Sequence, residues 1–215
     1  VIDEEKTGRR GTFWRELPIL LGVAILVAVV VRVFVLQTFW IPSGSMEHTL
    51  NINDRVLVNK LVYDFRDPHR GEIVVFTAPS EWRLGQADAD FIKRVIGVAG
   101  DHVVCCDAAQ RLVVNGHPLD EPYLNRSPDG TPQPATPDVF DITVPVGRLW
   151  VLGDNRFNSG DSRDNWVRHN HDIQEATIAV DAVVGRAFVV FWPLNRITWL
   201  SVPDTFALVP DPPGG

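Results

Sequence analysis

The sequence predicts a mainly β protein preceded by one N-terminal transmembrane helix. One apolar run near the N-terminus is long enough to cross a bilayer, and the helical period disappears after Trp40. Sixteen glycines and sixteen prolines are spread along the chain, which signals many turns and short strands. The 215 residues suit one anchored domain of moderate size. A net charge of −7 leaves no basic surplus for phosphates, so nucleic acid is excluded as a partner.

The elements follow in order. Residues 1–16 form a tail in which Lys6, Arg9, Arg10 and Arg15 are offset by Asp3, Glu4, Glu5 and Glu16. Acidic residues contribute little to orientation, so the tail is predicted cytoplasmic and the chain after Gln37 extracytoplasmic. From Leu17 to Leu36 the only charge is Arg32, near the far end, where its side chain can snorkel. Twenty helical residues span about 30 Å, the hydrocarbon thickness. Pro18 reads as the helix start, and Phe13-Trp14 and Phe39-Trp40 bracket the run as interfacial aromatics do. A cleaved leader would have a shorter core followed by small residues, whereas the bulky stretch Gln37–Pro42 follows here. A buried core helix would show a polar face, and Leu17–Val31 shows none.

Beyond Trp40, strands are predicted at Arg55–Leu61, Glu72–Phe76, Phe91–Val98, His102–Cys106, Arg111–Val114, Val139–Val144, Leu149–Leu152 and Val183–Phe191. Asn115-Gly116 signals a type I′ hairpin. Ser80–Asp90 and the proline-rich Arg126–Asp138 read as loops, and Glu175–Val184 as one short helix. Cys105 and Cys106 are neighbours, a spacing that suits neither a zinc site nor a disulfide scaffold; they read as two thiols in preference to a strained vicinal disulfide, and the sequence leaves their redox state open. The division is therefore a tail 1–16, an anchor 17–36, a β-rich domain 37–209 and a Pro/Gly tail 210–215.

Three segments carry chemistry: Ile41-Pro-Ser-Gly-Ser-Met-Glu-His-Thr-Leu50, Phe91-Ile-Lys-Arg-Val-Ile-Gly-Val-Ala-Gly-Asp101 and Gly153-Asp-Asn-Arg-Phe-Asn-Ser-Gly-Asp-Ser-Arg163. A serine hydroxyl becomes a nucleophile only when a base takes its proton. None of His48, His69, His102, His117, His169 and His171 lies in a stretch resembling a catalytic loop. His169 and His171 read as a solvated loop rather than a metal pair. Lys93 is the alternative base, because strand alternation puts it on one face with Phe91 and Val95, where burial favours the neutral amine.

In this order and at these distances the three segments resemble the type I signal peptidases of bacteria. The resemblance covers most of Trp40 to Arg196, including Asn53–Val56 and Val184–Phe188. It implies a signal-peptidase-like fold of curved antiparallel sheets around a groove at the membrane surface. It also implies Ser45 as nucleophile, Lys93 as general base and Ser43 as a hydroxyl assisting the Ser45 N–H in the oxyanion hole. Ser159 would orient the lysine, Asp161 and Arg163 would brace the site, and Asp154 matches the aspartate of the Gly-Asp-Asn turn. Ile41, Met46, Leu50, Phe91 and Ile92 match positions lining the pockets for substrate residues −1 and −3. The chain departs from the family pattern at His48 and Ala99, which replace proline, and at Phe157, where aspartate is common.

The implied activity is removal of signal peptides from exported preproteins after a small-x-small sequence, without metal or cofactor. The implied partners are those signal peptides, membrane lipid and, as a neighbour, the secretion translocon. A rival reading is a membrane-tethered binding protein of the same fold that has lost turnover. A Ser/Lys self-cleaving regulator would need a DNA-binding segment where this chain has its apolar run. The aromatic stretch Phe191–Trp199 is left open between the membrane interface and the β core.

Overall fold

The computed structural model describes residues 9–30, 35–83, 85, 90–127, 129–131 and 133–212. Helix α1 (Arg9–Val30) contains residues 17–30 of the apolar run, and side chains such as Leu17, Leu20, Ile25 and Val29 are exposed along it. It begins well before Pro18, so that proline lies inside the helix rather than at its start. Among the described residues no helix is long and apolar enough to cross a membrane. The stretch Val31, Arg32, Val33 and Phe34 of the expected anchor lies outside the described residues, as do Asp3, Glu4, Glu5 and Lys6 of the tail and the end of the Pro/Gly tail, 213–215. Leu36 is not part of the helix. It opens β1 (Leu36–Trp40), where it pairs with Asn59 of β2 (Arg55–Asn59), while Trp40 pairs with Arg55.

The remaining strands are β3 (Ile73–Thr77), β4 (Asp90–Gly97), β5 (His102–Cys105), β6 (Leu112–Val114), β7 (His117–Pro118), β8 (Phe140–Thr143), β9 (Arg148–Leu152), β10 (Ile178–Ala179), β11 (Val183–Trp192) and β12 (Thr198–Trp199). The main sheet runs β1-β2-β11-β3-β4-β9-β10 with β12 added on β11, and a second sheet runs β7-β6-β5-β8. Every pairing is antiparallel, so the mainly β expectation holds for the region after the helix. Asn115 and Gly116 both have positive φ, 50° and 79°, as the predicted hairpin turn requires.

The core is built in three parts. Val56, Val58, Ile73, Val75, Ala187 and Val190 pack beneath β1, β2 and β11, and Val74, Phe76, Trp82, Val95 and Val151 on the other face. The second sheet closes over Leu112, Phe140, Ile142 and Trp150. Alternation explains β3: Val74 and Phe76 point one way, Ile73 and Val75 the other, and the strand is buried on both faces.

Four expectations are corrected. Glu175–Val184 is not one helix: α3 (Ile173–Ala176) ends where the Thr177 hydroxyl turns back to donate to the Ile173 carbonyl at 2.6 Å, and β10 follows at once. Helix α2 (Ser162–Arg168) was not expected at all; the Asp161 side chain accepts from Asp164 N to cap it, and Trp166 packs on the core. Within Ser80–Asp90 a 3-10 turn at Ser80–Trp82 buries Trp82 edge-on to Phe76, 5.9 Å between ring centres, while 84 and 86–89 lie outside the described residues. Cys105 and Cys106 are bonded to each other rather than free, because β5 ends at Cys105 and the strand alternation that would separate them stops there.

Candidate active site

Trp40 delivers the chain into a turn, Ile41–Asp54, whose first part winds into a short 3-10 helix, Gly44–Met46, carrying Ser45. Glu47 N donates to Gly44 O and Leu50 N to Met46 O, and the buried side chains of Met46 and Leu50 root the turn in the core. Ser45 itself is buried. Ser43 precedes the helix, exposed, and its Oγ lies 3.5 Å from Ser45 Oγ.

His48 has φ of +81°, a left-handed conformation, and its Nδ1 lies 3.3 Å from the Tyr123 carbonyl oxygen. Proline is locked near −65°, so it does not fit this backbone. The His48→Pro variant is therefore expected to lower thermal stability by about 1–3 kcal/mol. His48→Gly should stay near wild type, and comparing their melting temperatures checks this.

β4 brings Lys93 to the serine. Its Nζ donates to Ser45 Oγ at 2.9 Å and to the Ile92 carbonyl at 2.9 Å, and it lies 5.5 Å from the centre of the Phe91 ring. Lys93 is only 4 % exposed. Burial pushes its pKa down to about 8, against the opposing pull of Asp161 and Asp154. The reason for the open space beside it is sheet register. β3 pairs with Asp90–Arg94 along one edge, but β9 pairs only with Arg94–Gly97 on the other. Among the described strands nothing pairs the second edge of Asp90–Lys93, and a cavity of about 500 Å³ opens there.

The third segment forms the opposite wall. Asn155 N donates to Ser45 O at 3.1 Å, and its side-chain amide donates to Gly44 O at 3.0 Å and to Glu47 Oε2 at 3.1 Å. Gly153 sits so close that a Cβ there would overlap the Ser45 carbonyl and Ser159 Oγ. Ser159 lines the cavity, but its buried Oγ has no hydrogen-bond partner among the described residues, so the expected bond to Lys93 is not made. The two bonds of Lys93 use two of its three donors.

Asp161 is buried, accepting from Gly153 N at 3.1 Å and from Arg163 Nε at 3.4 Å, and Arg163 donates to Ser159 O at 3.0 Å. Asp154 is buried too, held by a two-pronged bond from Arg94 at 2.9 and 2.6 Å and by the Thr49 hydroxyl at 2.5 Å. It thereby joins the serine turn to the residue beside Lys93.

Of the expected substrate contacts, Phe91 and Ile92 line the cavity together with Ser43, Ser45, Lys93, Phe157 and Ser159. Ile41, Met46 and Leu50 do not: they are buried in the core cluster with Val56, Val58 and Ile73. His169 follows α2 as its C-terminal cap and His171 packs its ring 5.0 Å from that of Trp166.

Sequence reasoning missed Arg94, Asn155, Gly153 and Thr49 as parts of the site. Arg94 carried a signal, since a cation next to Lys93 on a strand points to the opposite face and needs an acid there, and Asp154 is in the third segment.

The family model described as signal peptidase, peptidase S26, matches residues 14–192. Signal peptidase I of Mycobacterium tuberculosis is 34 % identical over 233 residues, spanning 90 % of this chain and 77 % of that protein. Probable signal peptidase I-2 of Synechocystis is 39 % identical over 191 residues, spanning 87 % and 78 %. Signal peptidase I T of Bacillus subtilis is 31 % identical over 197 residues, spanning 90 % and 93 %. A crystal structure of a signal peptidase I from Enterococcus faecalis is similar with a TM-score of 0.41 and 30 % identity, over 56 % of this chain and 97 % of that one. The match over most of the chain, by model and by relatives, establishes that this protein belongs to the signal peptidase family of the S26 peptidases.

Proposed function

We propose that the chain is a membrane-anchored serine endopeptidase that removes signal peptides from exported preproteins with a Ser45/Lys93 dyad. The observation that carries this reading is the buried 2.9 Å contact between Lys93 Nζ and Ser45 Oγ, at a lysine whose pKa is held down to about 8. At pH 7 about one molecule in ten then holds the neutral amine a base requires, against fewer than about one in a thousand for an ordinary lysine.

In the proposed reaction neutral Lys93 takes the Ser45 proton as Oγ attacks the scissile carbonyl carbon. The tetrahedral oxyanion forms beside the Ser45 N–H, with Ser43 Oγ as the neighbouring hydroxyl. Lys93 then returns the proton to the departing amine, the new N-terminus of the mature protein. The acyl ester on Ser45 is left behind. Water, deprotonated by the same lysine, attacks the ester; as the bond to Ser45 Oγ breaks, the lysine returns that proton to Oγ, and the released signal peptide loses its own proton to solvent to become a carboxylate. Ser159 and the Asp161–Arg163 pair hold the lysine side of the wall, and Asp154 holds the turn.

The substrate is proposed to lie as a strand along the open edge of Asp90–Lys93, its backbone completing the sheet there. Phe91 and Ile92 would wall the pockets for residues −1 and −3, with Ile41, Met46 and Leu50 fixing their floor from below, which admits small side chains and clashes with large ones.

Membrane anchoring through the 17–36 run, with the N-terminus cytoplasmic, is part of the same proposal. It is supported by the exposed apolar side chains of α1, by the exposed tryptophans Trp40, Trp192 and Trp199 of the sheet and by exposed Leu194 and Ile197 in the connection between β11 and β12. Lipid is thus a partner, and the secretion translocon a neighbour. The test is to incubate the purified full chain with a preprotein and determine the new N-terminus. Wild type should cut after a small-x-small sequence and Ser45→Ala should not. Cleavage by Ser45→Ala at the wild-type rate, or binding without cleavage by wild type, would overturn the reading, the latter in favour of a silent binding protein.

A further inference from the structure

The segment carrying Ser45 is closed at its base. Ile41 N donates to Asp54 O at 2.9 Å, Asn53 N to Ile41 O at 2.9 Å, and Asp54 N to Asn51 O at 3.0 Å. The Asp54 side chain lies inside this closure, 1 % exposed, and its Oδ2 accepts from Asn51 N at 2.8 Å. A buried carboxylate needs a counter-charge. Here it comes from the far end of the chain: Arg196 Nε donates to Asp54 Oδ1 at 2.8 Å and Nη2 to Oδ2 at 2.9 Å. A two-pronged bond of this kind fixes the rotation of the carboxylate, and with it the Asn51 N–H that closes the segment.

Arg196 ends the 3-10 turn Leu194–Arg196, and its sequence neighbour Ile197 and nearby Leu194 are exposed. Trp192 and Trp40 both pair with Arg55, and Trp199 pairs with Val189, which pairs with Leu57 two residues on from Arg55, so the three tryptophans Trp40, Trp192 and Trp199 share one face of the sheet. Trp40 also reaches the closure directly, its Nε1 donating to Asn53 Oδ1 at 3.3 Å. The strip is rich in tryptophan, the residue that favours the bilayer interface, and β1 leads from the apolar N-terminal run straight into it. A lipid surface is the occupant these features fit.

We infer that Arg196 is a positioning residue for Ser45, acting through Asp54, and that lipid contact of the surrounding strip is transmitted to the serine turn through this ion pair. The inference rests on the functional reading above. A purely structural ion pair would change folding stability and leave the response to lipid alone, which separates the two.

The experiment uses the full chain as wild type, Arg196→Ala, Arg196→Lys and Arg196→Ala/Asp54→Asn. Preprotein cleavage is measured in detergent micelles and in phosphatidylcholine vesicles, with kcat, KM and Tm for each. Wild-type kcat should rise on transfer to vesicles. Arg196→Ala should lose about tenfold in kcat there, with KM within about twofold, and its vesicle-to-micelle ratio should fall to near one. Arg196→Lys should recover part of the loss. Asp54→Asn in the alanine background removes the unpaired charge, so Tm should recover while kcat does not. The inference is overturned if the double variant regains kcat along with Tm, if Arg196→Ala keeps the wild-type ratio, or if wild type itself does not respond to vesicles. A wild type that cleaves no preprotein in either medium sinks the functional reading instead.

Discussion

Lys93→Met is expected to abolish cleavage and, at neutral pH, to make the protein more stable. Loss of the base should lower kcat by about a thousandfold or more, since positioned proton transfer is worth roughly 10²–10⁴. Stability should move the other way. Lys93 is buried, and its pKa of about 8 in the folded chain against 10.5 in the unfolded one means the folded state disfavours its charge. That difference corresponds to about 3 kcal/mol, or several degrees in Tm for a chain of this size. The penalty is fully present below pH 8, where both states carry the proton. It shrinks between pH 8 and 10.5, where only the unfolded state binds the proton, and is gone above that range. The Tm advantage of Lys93→Met should therefore be largest at neutral pH and close as the pH approaches 10.5. Equal melting temperatures at pH 7 would mean that the lysine is not desolvated.

Gly153→Ala should also damage turnover, less severely and for a different reason. The added Cβ would overlap the Ser45 carbonyl and Ser159 Oγ together. Ser159 can rotate, but the Ser45 carbonyl is held by Asn155 N and belongs to the proposed nucleophile's own backbone. Relief must come from moving Ser45 away from Lys93. A displacement of about 1 Å at a reacting group costs roughly a hundredfold in rate, while overpacking of this size costs about 1–3 kcal/mol of stability. Kinetics on the purified variant should show kcat falling far more than KM rises. A variant that retains wild-type kcat would show that the third segment does not set the position of the serine.

The two residues that define the proposed chemistry were legible because each stands in an unusual local setting. Ser45 lies in a Gly-Ser-Met turn after an apolar run, and Lys93 alternates with Phe91 and Val95 on a strand. The structure joins them at 2.9 Å. What holds them was harder to see, because the contacts depend on topology rather than on local pattern. Asp154 with Arg94 and Asp54 with Arg196 meet only after the sheet has assembled.

Two elements were hidden by composition. β1 opens on the last residue of the apolar run, Leu36, and its five residues, Leu-Gln-Thr-Phe-Trp, are too few and too irregular to show a strand period. Helix α2 is written in Asp, Ser and Asn, residues that favour turns, and it forms because Asp161 caps it and Trp166 packs inward. The Ser159–Lys93 bond implied by the family resemblance is absent, and Lys93 uses the Ile92 carbonyl instead.

The proposed base is a desolvated lysine. Its most direct test is the pH dependence of kcat/KM for preprotein cleavage, measured on wild type and on His48→Gly, which keeps the left-handed backbone. A single ascending limb is expected in both proteins, governed by loss of a positive charge with a midpoint at about 8. A limb centred near about 6.5, the ordinary histidine range, that disappears in His48→Gly would contradict it and make histidine the base.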